Sequence, residues 1–315
     1  MKHKSTAARG CEIVARDLEV CYGKFRALAA KQITIRGNMI AVIGHNGAGK
    51  STLIKALLGL LPFEGELQSF AQDTNGKCTL LPQRDMAFCP ETGSVFADIS
   101  VESYIKLWSR FKHRDGNYYK KEGSKYVDLL NLSPLFSKLG RELSKGQRRR
   151  VQTAIGFLGA PKLFFFDEPF DGLDVQKTSE LTSILVEHQD RMSFVVSSHR
   201  MDVMERIADT VVVLKDGEFM SSGSVESVCK ELCDECYSLS NMSDQDSMLA
   251  MLSSRFPELL VTRIGNQLAV TGRGIDLNVL NSVIREYDTN GIRIEKAHAS
   301  LTDAMNYHLR SIKHL

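Results

Sequence analysis

Ile40-Ala41-Val42-Ile43-Gly44-His45-Asn46-Gly47-Ala48-Gly49-Lys50-Ser51-Thr52 runs an apolar strand into a glycine-rich turn, and the turn into a helix-like stretch from Leu53 to Leu61. In that order the parts make a phosphate cradle. Glycines let the loop wrap until successive backbone N–H groups point inward, and the N-terminus of the following helix adds partial positive charge. The spacing G-x-x-x-x-G-K-S lets Lys50 reach the β- and γ-phosphates of a nucleotide and lets the Ser51 hydroxyl hold Mg²⁺. Gly44, His45, Asn46, Gly47, Ala48, Gly49, Lys50, Ser51 and Thr52 are therefore expected to line a nucleoside triphosphate. A chance glycine-rich turn would lack the strand before it and the helix after it.

On the amino side of this loop the chain is β-rich, with Glu12-Ile13-Val14-Ala15 and Gln32-Ile33-Thr34-Ile35 as short strand candidates. On the carboxyl side a helix from Lys50 to about Leu60 closes at Pro62 and Gly65. Residues 100–160 are mostly helical in pattern, and the polar stretch 112–123 reads as an exposed loop and helix start. Leu163–Phe166, Ser193–Ser198 and Thr210–Leu214 are unbroken apolar runs between helical segments, which indicates a sheet covered on both faces and at least partly parallel. Beyond residue 235 a second pattern begins. Met248–Phe256 reads as helix, and Leu259–Ile264, Gly265-Asn266 and Gln267–Thr271 read as a hairpin. A helix near 276–287, a strand over Ile292–Glu295 and a helix near 301–312 complete it.

Bulk composition sets limits. The 315 residues are 43% hydrophobic and 25% charged, ordinary for a globular chain, with room for an ample core. A net charge of +2 gives no global electrostatic case for a nucleic-acid partner. No run of about 18 uncharged apolar residues encodes a membrane span. The start Met1-Lys2-His3-Lys4-Ser5 lacks the apolar core of a secretion signal, and seven cysteines then read as reduced cytosolic thiols.

Further residues decide among nucleotide-binding classes. Leu143-Ser144-Lys145-Gly146-Gln147 precedes Arg148-Arg149-Arg150. Phe164-Phe165-Phe166-Asp167-Glu168-Pro169 follows, then Phe170-Asp171-Gly172-Leu173-Asp174, and after another strand Ser197-Ser198-His199. Over about residues 11–225 this ordered set resembles the ATP-binding cassette (ABC) ATPases, with Lys145 where that family's signature loop often has Gly. Asp167, at a buried strand end, suits Mg²⁺ held through its water shell, and Glu168 suits a general base for the attacking water. The resemblance implies that His199 senses the γ-phosphate and that Tyr22 stacks on adenine. It further implies that Ser144, Gly146 and Gln147 complete the site of a second cassette, two ATPs being sandwiched head to tail. For the residue that normally joins Mg²⁺ to the membrane partner, Glu91 after Met86–Pro90 fits the surrounding context better than Gln83, a Glu where the family has Gln. The arginines 148–150 read as a solvated or dipole-proximal helix face.

The fold expected is thus α/β: a P-loop NTPase domain of the ABC type over 1–235, with mixed sheet and a helical subdomain near 95–158, then a small α+β domain over 236–315. The function implied is an ATP-hydrolysing subunit using ATP and Mg²⁺, paired with a second cassette in a homodimer. It would act on separately encoded transmembrane permease subunits from the cytoplasmic face of the membrane, with no nucleic acid. The Glu91 form, the small second domain and the ending Ser300-Leu301-Thr302-Asp303-Ala304-Met305 resemble exporter-type cassettes. The alternative is a soluble ABC ATPase with a non-transport role, either regulatory or nucleic-acid-linked in repair or translation. Against it, fewer than a hundred residues lie between Lys50 and Ser144, with no sustained heptads, and the chain holds one cassette. Cys229, Cys233 and Cys236 have iron–sulfur-like spacing, but Glu226–Tyr237 reads as a helix with three buried thiols on one face, a Zn²⁺ or Cu⁺ site being the alternative.

Overall fold

The computed structural model describes residues 10–73, 75–93, 95–113, 117–287 and 291–311. Two compact units divide between Ser222 and Gly223.

In the first unit, β1 (Gly10–Tyr22) and β2 (Phe25–Gly37) pair antiparallel across Gly23-Lys24. They extend well beyond the two short candidates, because alternating buried residues such as Leu18, Val20 and Leu28 continue the pairing. β3 (Met39–Ile43) runs into the glycine loop and α1 (Lys50–Leu57). β4 (Glu64–Gln72) and β5 (Cys78–Leu80) then add to the outer side of β1. Neither is apparent in the sequence, since this edge faces water and its polar residues mask the strand period.

β6 (Met86–Cys89) leads to the helical region: α2 (Val101–His113), α3 (Ser124–Leu129) and α4 (Lys145–Leu158). Before α3, Tyr119–Gly123 forms a π-helical turn where a loop was expected; residues 114–116 of that polar stretch lie outside the described residues. β7 (Leu163–Asp167), α5 (Val175–His188), β8 (Ser193–Ser198), α6 (Met201–Ile207), β9 (Thr210–Lys215) and β10 (Glu218–Gly223) follow.

The ten strands form one sheet, ordered β5-β4-β1-β2-β10-β9-β3-β8-β7-β6. From β9 to β6 each neighbour is parallel. All residues of β3, β7 and β8 are buried; β3 and Leu163–Phe166 of β7 are unbroken apolar runs, and the three serines of β8 are hydrogen-bonded. Register then places the site. Ile43 lies opposite Ser198, and Asp167 opposite Ser197, so the carboxyl ends of β3, β8 and β7 finish level. In open parallel sheets that edge is where ligands bind.

The second unit is α7 (Val225–Leu232), β11 (Glu235–Ser240), α8 (Gln245–Arg255), β12 (Leu260–Ile264), β13 (Gln267–Gly272), α9 (Leu277–Tyr287), β14 (Arg293–Ala297) and α10 (Leu301–Ser311). Its antiparallel sheet has the order β12-β13-β11-β14, a split β-α-β arrangement of the ferredoxin-like kind. The hairpin turns at Gly265-Asn266 with Ile264 opposite Gln267, as its sequence predicts. Ser300-Leu301-Thr302-Asp303 is a helix cap: Ser300 Oγ accepts from Asp303 N at 3.0 Å and donates to Asp303 Oδ2 at 2.6 Å. The same carboxylate accepts from Thr262 Oγ1 at 3.2 Å, which ties α10 to β12.

Two expectations are corrected here. The unit boundary falls before α7 rather than at 235/236, because α7 packs on α10. Glu226–Tyr237 is not one helix: α7 stops at Leu232, Cys233 is extended, and Cys236 belongs to β11. Tyr237 and Leu239 face the core there, so a central strand replaces the expected helix end. All three thiols are buried, and burial pushes Cys233 up to about 12. Among the described residues no group of three His, Cys, Asp or Glu is placed to hold a metal ion.

Candidate nucleotide site

The glycine loop closes on itself through left-handed turns at Gly47 (φ 87°) and Gly49 (φ 102°). At Gly49 a Cβ would stand 3.0 Å from the Ala27 carbonyl oxygen, so the position is also sterically closed to larger residues. No side chain caps α1, whose first N–H groups therefore face the loop. Lys50 is buried at 6% exposure. Its Nζ donates to the carbonyls of Gly44 at 2.9 Å and His45 at 3.2 Å, and lies 3.3 Å from Glu168 Oε1.

The neighbouring strand ends complete this cluster. Asp167 Oδ1 accepts from Ser51 Oγ at 2.9 Å and from Ser197 Oγ at 2.6 Å. Glu168 has a left-handed backbone (φ 47°), a conformation that costs a non-glycine residue about 1 kcal/mol or more and is held here by its N–H, which meets Ser197 O at 3.1 Å and Ser197 Oγ at 3.0 Å. Its Oε2 accepts from His199 N at 3.2 Å and lies 2.9 Å from His199 Nδ1. Its Oε1 is buried without a hydrogen bond, next to the Lys50 ammonium. The expected residues Lys50, Ser51, Asp167, Glu168 and His199 thus come together. Ser51 and Asp167 present hard oxygen donors side by side, a set that fits a small divalent cation.

Tyr22 and its cross-strand partner Phe25 stand at the β1–β2 hairpin tip, 48% and 68% exposed. Two residues on, Ala27 borders Gly49, so the tip flanks the loop. Phe25 has no sequence signal that distinguishes it from a core aromatic. His45 makes a further tie, with Nε2 3.2 Å from Asp216 Oδ1 on the β9–β10 turn.

Ser144, Gly146 and Gln147 stand apart from this cluster, at the start of α4. Ser144 Oγ accepts from Gln147 N at 3.3 Å while Gln147 Oε1 accepts from Ser144 N at 3.0 Å, a reciprocal cap. Space beside Gly146 is open. Lys145 Nζ donates to Asp171 Oδ2 at 2.9 Å, and that hydrogen bond holds the Asp171 carboxyl below its ordinary range. The solvated-face reading of the arginines is corrected at Arg149, which is buried at 4% exposure. It donates through Nη1 to Pro169 O at 2.8 Å and Asp171 O at 3.0 Å, and through Nη2 to Glu91 O at 2.9 Å. Arg150 Nε donates to Leu130 O at 2.8 Å. Because β6 runs parallel to β7, Glu91 just past β6 lies on the site edge, whereas Gln83 precedes β6 and lies at the opposite edge.

Residues 33–171 match the family model for ABC transporters. An uncharacterized ABC transporter ATP-binding protein of Methanocaldococcus jannaschii is 28% identical over 62% of this chain and 71% of its own length. ATP-binding cassette sub-family A member 2 of Rattus norvegicus is 26% identical over 64% of this chain, which spans 8% of that relative. Among solved structures, an ATP-binding subunit of an ABC transporter is 27% identical with a TM-score of 0.61, over 70% of this chain and 92% of that one. The cbiO1 protein of Clostridium perfringens, described as part of an ABC transporter complex, shares the fold at a TM-score of 0.58 and 21% identity, over 80% of this chain and 96% of that one.

Proposed function

We propose that this chain is an ABC transporter ATP-binding cassette that hydrolyses ATP with Mg²⁺ and drives transport, in the export direction, through separately encoded membrane subunits. The observation that carries the reading is the convergence of Lys50, Ser51, Asp167, Glu168 and His199 on one edge of the parallel sheet. Lys50 and the α1 N-terminus would hold the β- and γ-phosphates. Ser51 and Asp167 would hold Mg²⁺, with Glu91 on the same edge, and the bound cation would neutralise charge across those phosphates. Glu168 accepts the proton of the attacking water, its carboxylate aimed by His199. Tyr22 stacks on the adenine.

Ser144, Gly146 and Gln147 lie at the capped start of α4 and not on the glycine loop; in this reading a second copy supplies the phosphate that they meet, and the head-to-tail homodimer has two competent sites. Among the described residues no helix is long and apolar enough to cross a membrane. The proposed path lies in partner chains, in keeping with the separately solved ATP-binding subunits that this chain resembles, with this subunit on the cytoplasmic face. On α2, Leu107 and Phe111 are left 47% and 75% exposed, an apolar surface that suits such a partner. Export is the direction suggested by Glu91, the small second unit and the Ser300–Met305 segment, which resemble exporter-type cassettes. The test is Glu168→Gln, expected to abolish ATP turnover while ATP-dependent dimerisation persists. Wild-type turnover in that variant would overturn the general-base assignment.

A further inference from the structure

We propose that Arg149 is a positioning residue for hydrolysis, setting the direction of the Glu168 carboxylate by tying the loop that follows β7 to the loop that follows β6. The inference rests on the proposed ATPase reading. Its basis is a buried guanidinium that has no ion pair with a carboxylate among the described residues and whose terminal nitrogens meet three backbone carbonyls within 3.0 Å. Burying a cation is costly unless its donors are satisfied; Nε is buried without a hydrogen bond, so the compensation falls on the two terminal nitrogens, and these carbonyls fix the guanidinium and are fixed by it. Two of them, Pro169 and Asp171, belong to the loop that begins at Glu168; the third, Glu91, belongs to the neighbouring loop on the same sheet edge.

Glu168 itself sits in a left-handed backbone conformation that the chain would leave if unrestrained. Ser197 holds its N–H side, and Arg149 holds the very next residue by its carbonyl. The carboxylate between those two anchors keeps its place against Lys50 and His199. The Lys145–Asp171 ion pair ties the same loop to the start of α4 a second time, at an exposed position where the contribution is small. Every Arg149 donor for which a partner is found goes to a carbonyl of these two loops. Only a planar fork reaches both loops at once, and a lysine ammonium at this site can serve one loop at a time.

The experiment compares wild type with Arg149→Lys and Arg149→Met. It measures kcat and KM for MgATP, equilibrium ATP affinity, the thermal midpoint, and amide hydrogen exchange of the nucleotide-free chain. Displacement of a catalytic group by a distant change costs up to about 100-fold in rate. Arg149→Lys should lose about tenfold in kcat and Arg149→Met more, with ATP affinity kept within about twofold of wild type. Exchange should accelerate around Glu91 and over residues 168–173 but not across β3 or β8. A folded Arg149→Lys with wild-type kcat overturns the proposal. So does a loss of kcat that only follows the folded fraction, with affinity falling alongside. If Arg149→Met does not fold, Arg149→Lys alone decides. A wild-type chain that binds MgATP without turnover removes the ATPase reading, and this inference with it. Wild-type turnover that both variants leave intact removes the inference alone.

Discussion

Lys50 stands between two carbonyls and one carboxylate, and Glu168 has that same ammonium as its one cationic neighbour on the Oε1 side. Both side chains are nearly buried, which decides what their separate removal does. Lys50→Met removes the ammonium beside Glu168 Oε1 and leaves that buried oxygen without a partner, a loss expected at about 3 kcal/mol in the nucleotide-free protein. Glu168→Gln leaves Lys50 with its two carbonyls, and its cost should be smaller. The double variant should then be more stable than the sum of the singles implies, by more than about 0.5 kcal/mol, in a denaturant-unfolding cycle. Strict additivity would mean that the pair has no energetic link. The residues of this cluster are legible in the sequence because each is a distinctive letter after a recognisable strand. Arg149 is legible only as a charge: its partners are carbonyl oxygens, which every residue carries, so no letter announces them. The left-handed backbone at Glu168 is invisible for the same reason.

Elements were legible in proportion to how completely they are buried. β3, β7, β8 and β9 are covered on both faces, and each is built around a run of consecutive apolar residues. β4 and β5 are largely exposed, and β11 mixes Tyr237 and Leu239 with serines, so neither period stands out. Helix α4 joins these levels, since its capped start carries Ser144 and its body packs on β7. At Gly156 a Cβ would stand 2.0 Å from the ring of Phe164, which is fully buried. Two effects oppose in Gly156→Ala. Helix propensity favours alanine by about 1 kcal/mol, while overpacking a closed core costs about 1–3 kcal/mol. The overlap is with an aromatic ring that has no free direction, so overpacking wins and the variant should be less stable. An unchanged or raised denaturation midpoint would show that α4 lifts off β7 without cost, and would weaken any role for α4 in holding the Glu168 loop.

At the scale of the molecule the two units have separate cores, one around Ile40, Val42, Phe165 and Val195, the other around Tyr237, Leu239, Leu268 and Val270. The cysteines report on each independently. Cys11 and Cys89 are buried in the first unit, Cys229, Cys233 and Cys236 in the second, and only Cys21 and Cys78 are exposed. Burial pushes Cys11 up to about 12 and Cys89 up to about 11, so at pH 8 these thiols stay protonated and shielded while the protein is folded. A thiol reagent should therefore modify two cysteines quickly in native protein and the other five only on unfolding. A smaller unit buries a smaller fraction of its surface. Rising urea should then expose Cys229, Cys233 and Cys236 before Cys11 and Cys89, giving two transitions when the labelled sites are mapped by peptide mass. One common transition for all five would mean that the units unfold as a single cooperative body, and the separate cores would then be a feature of packing rather than of stability.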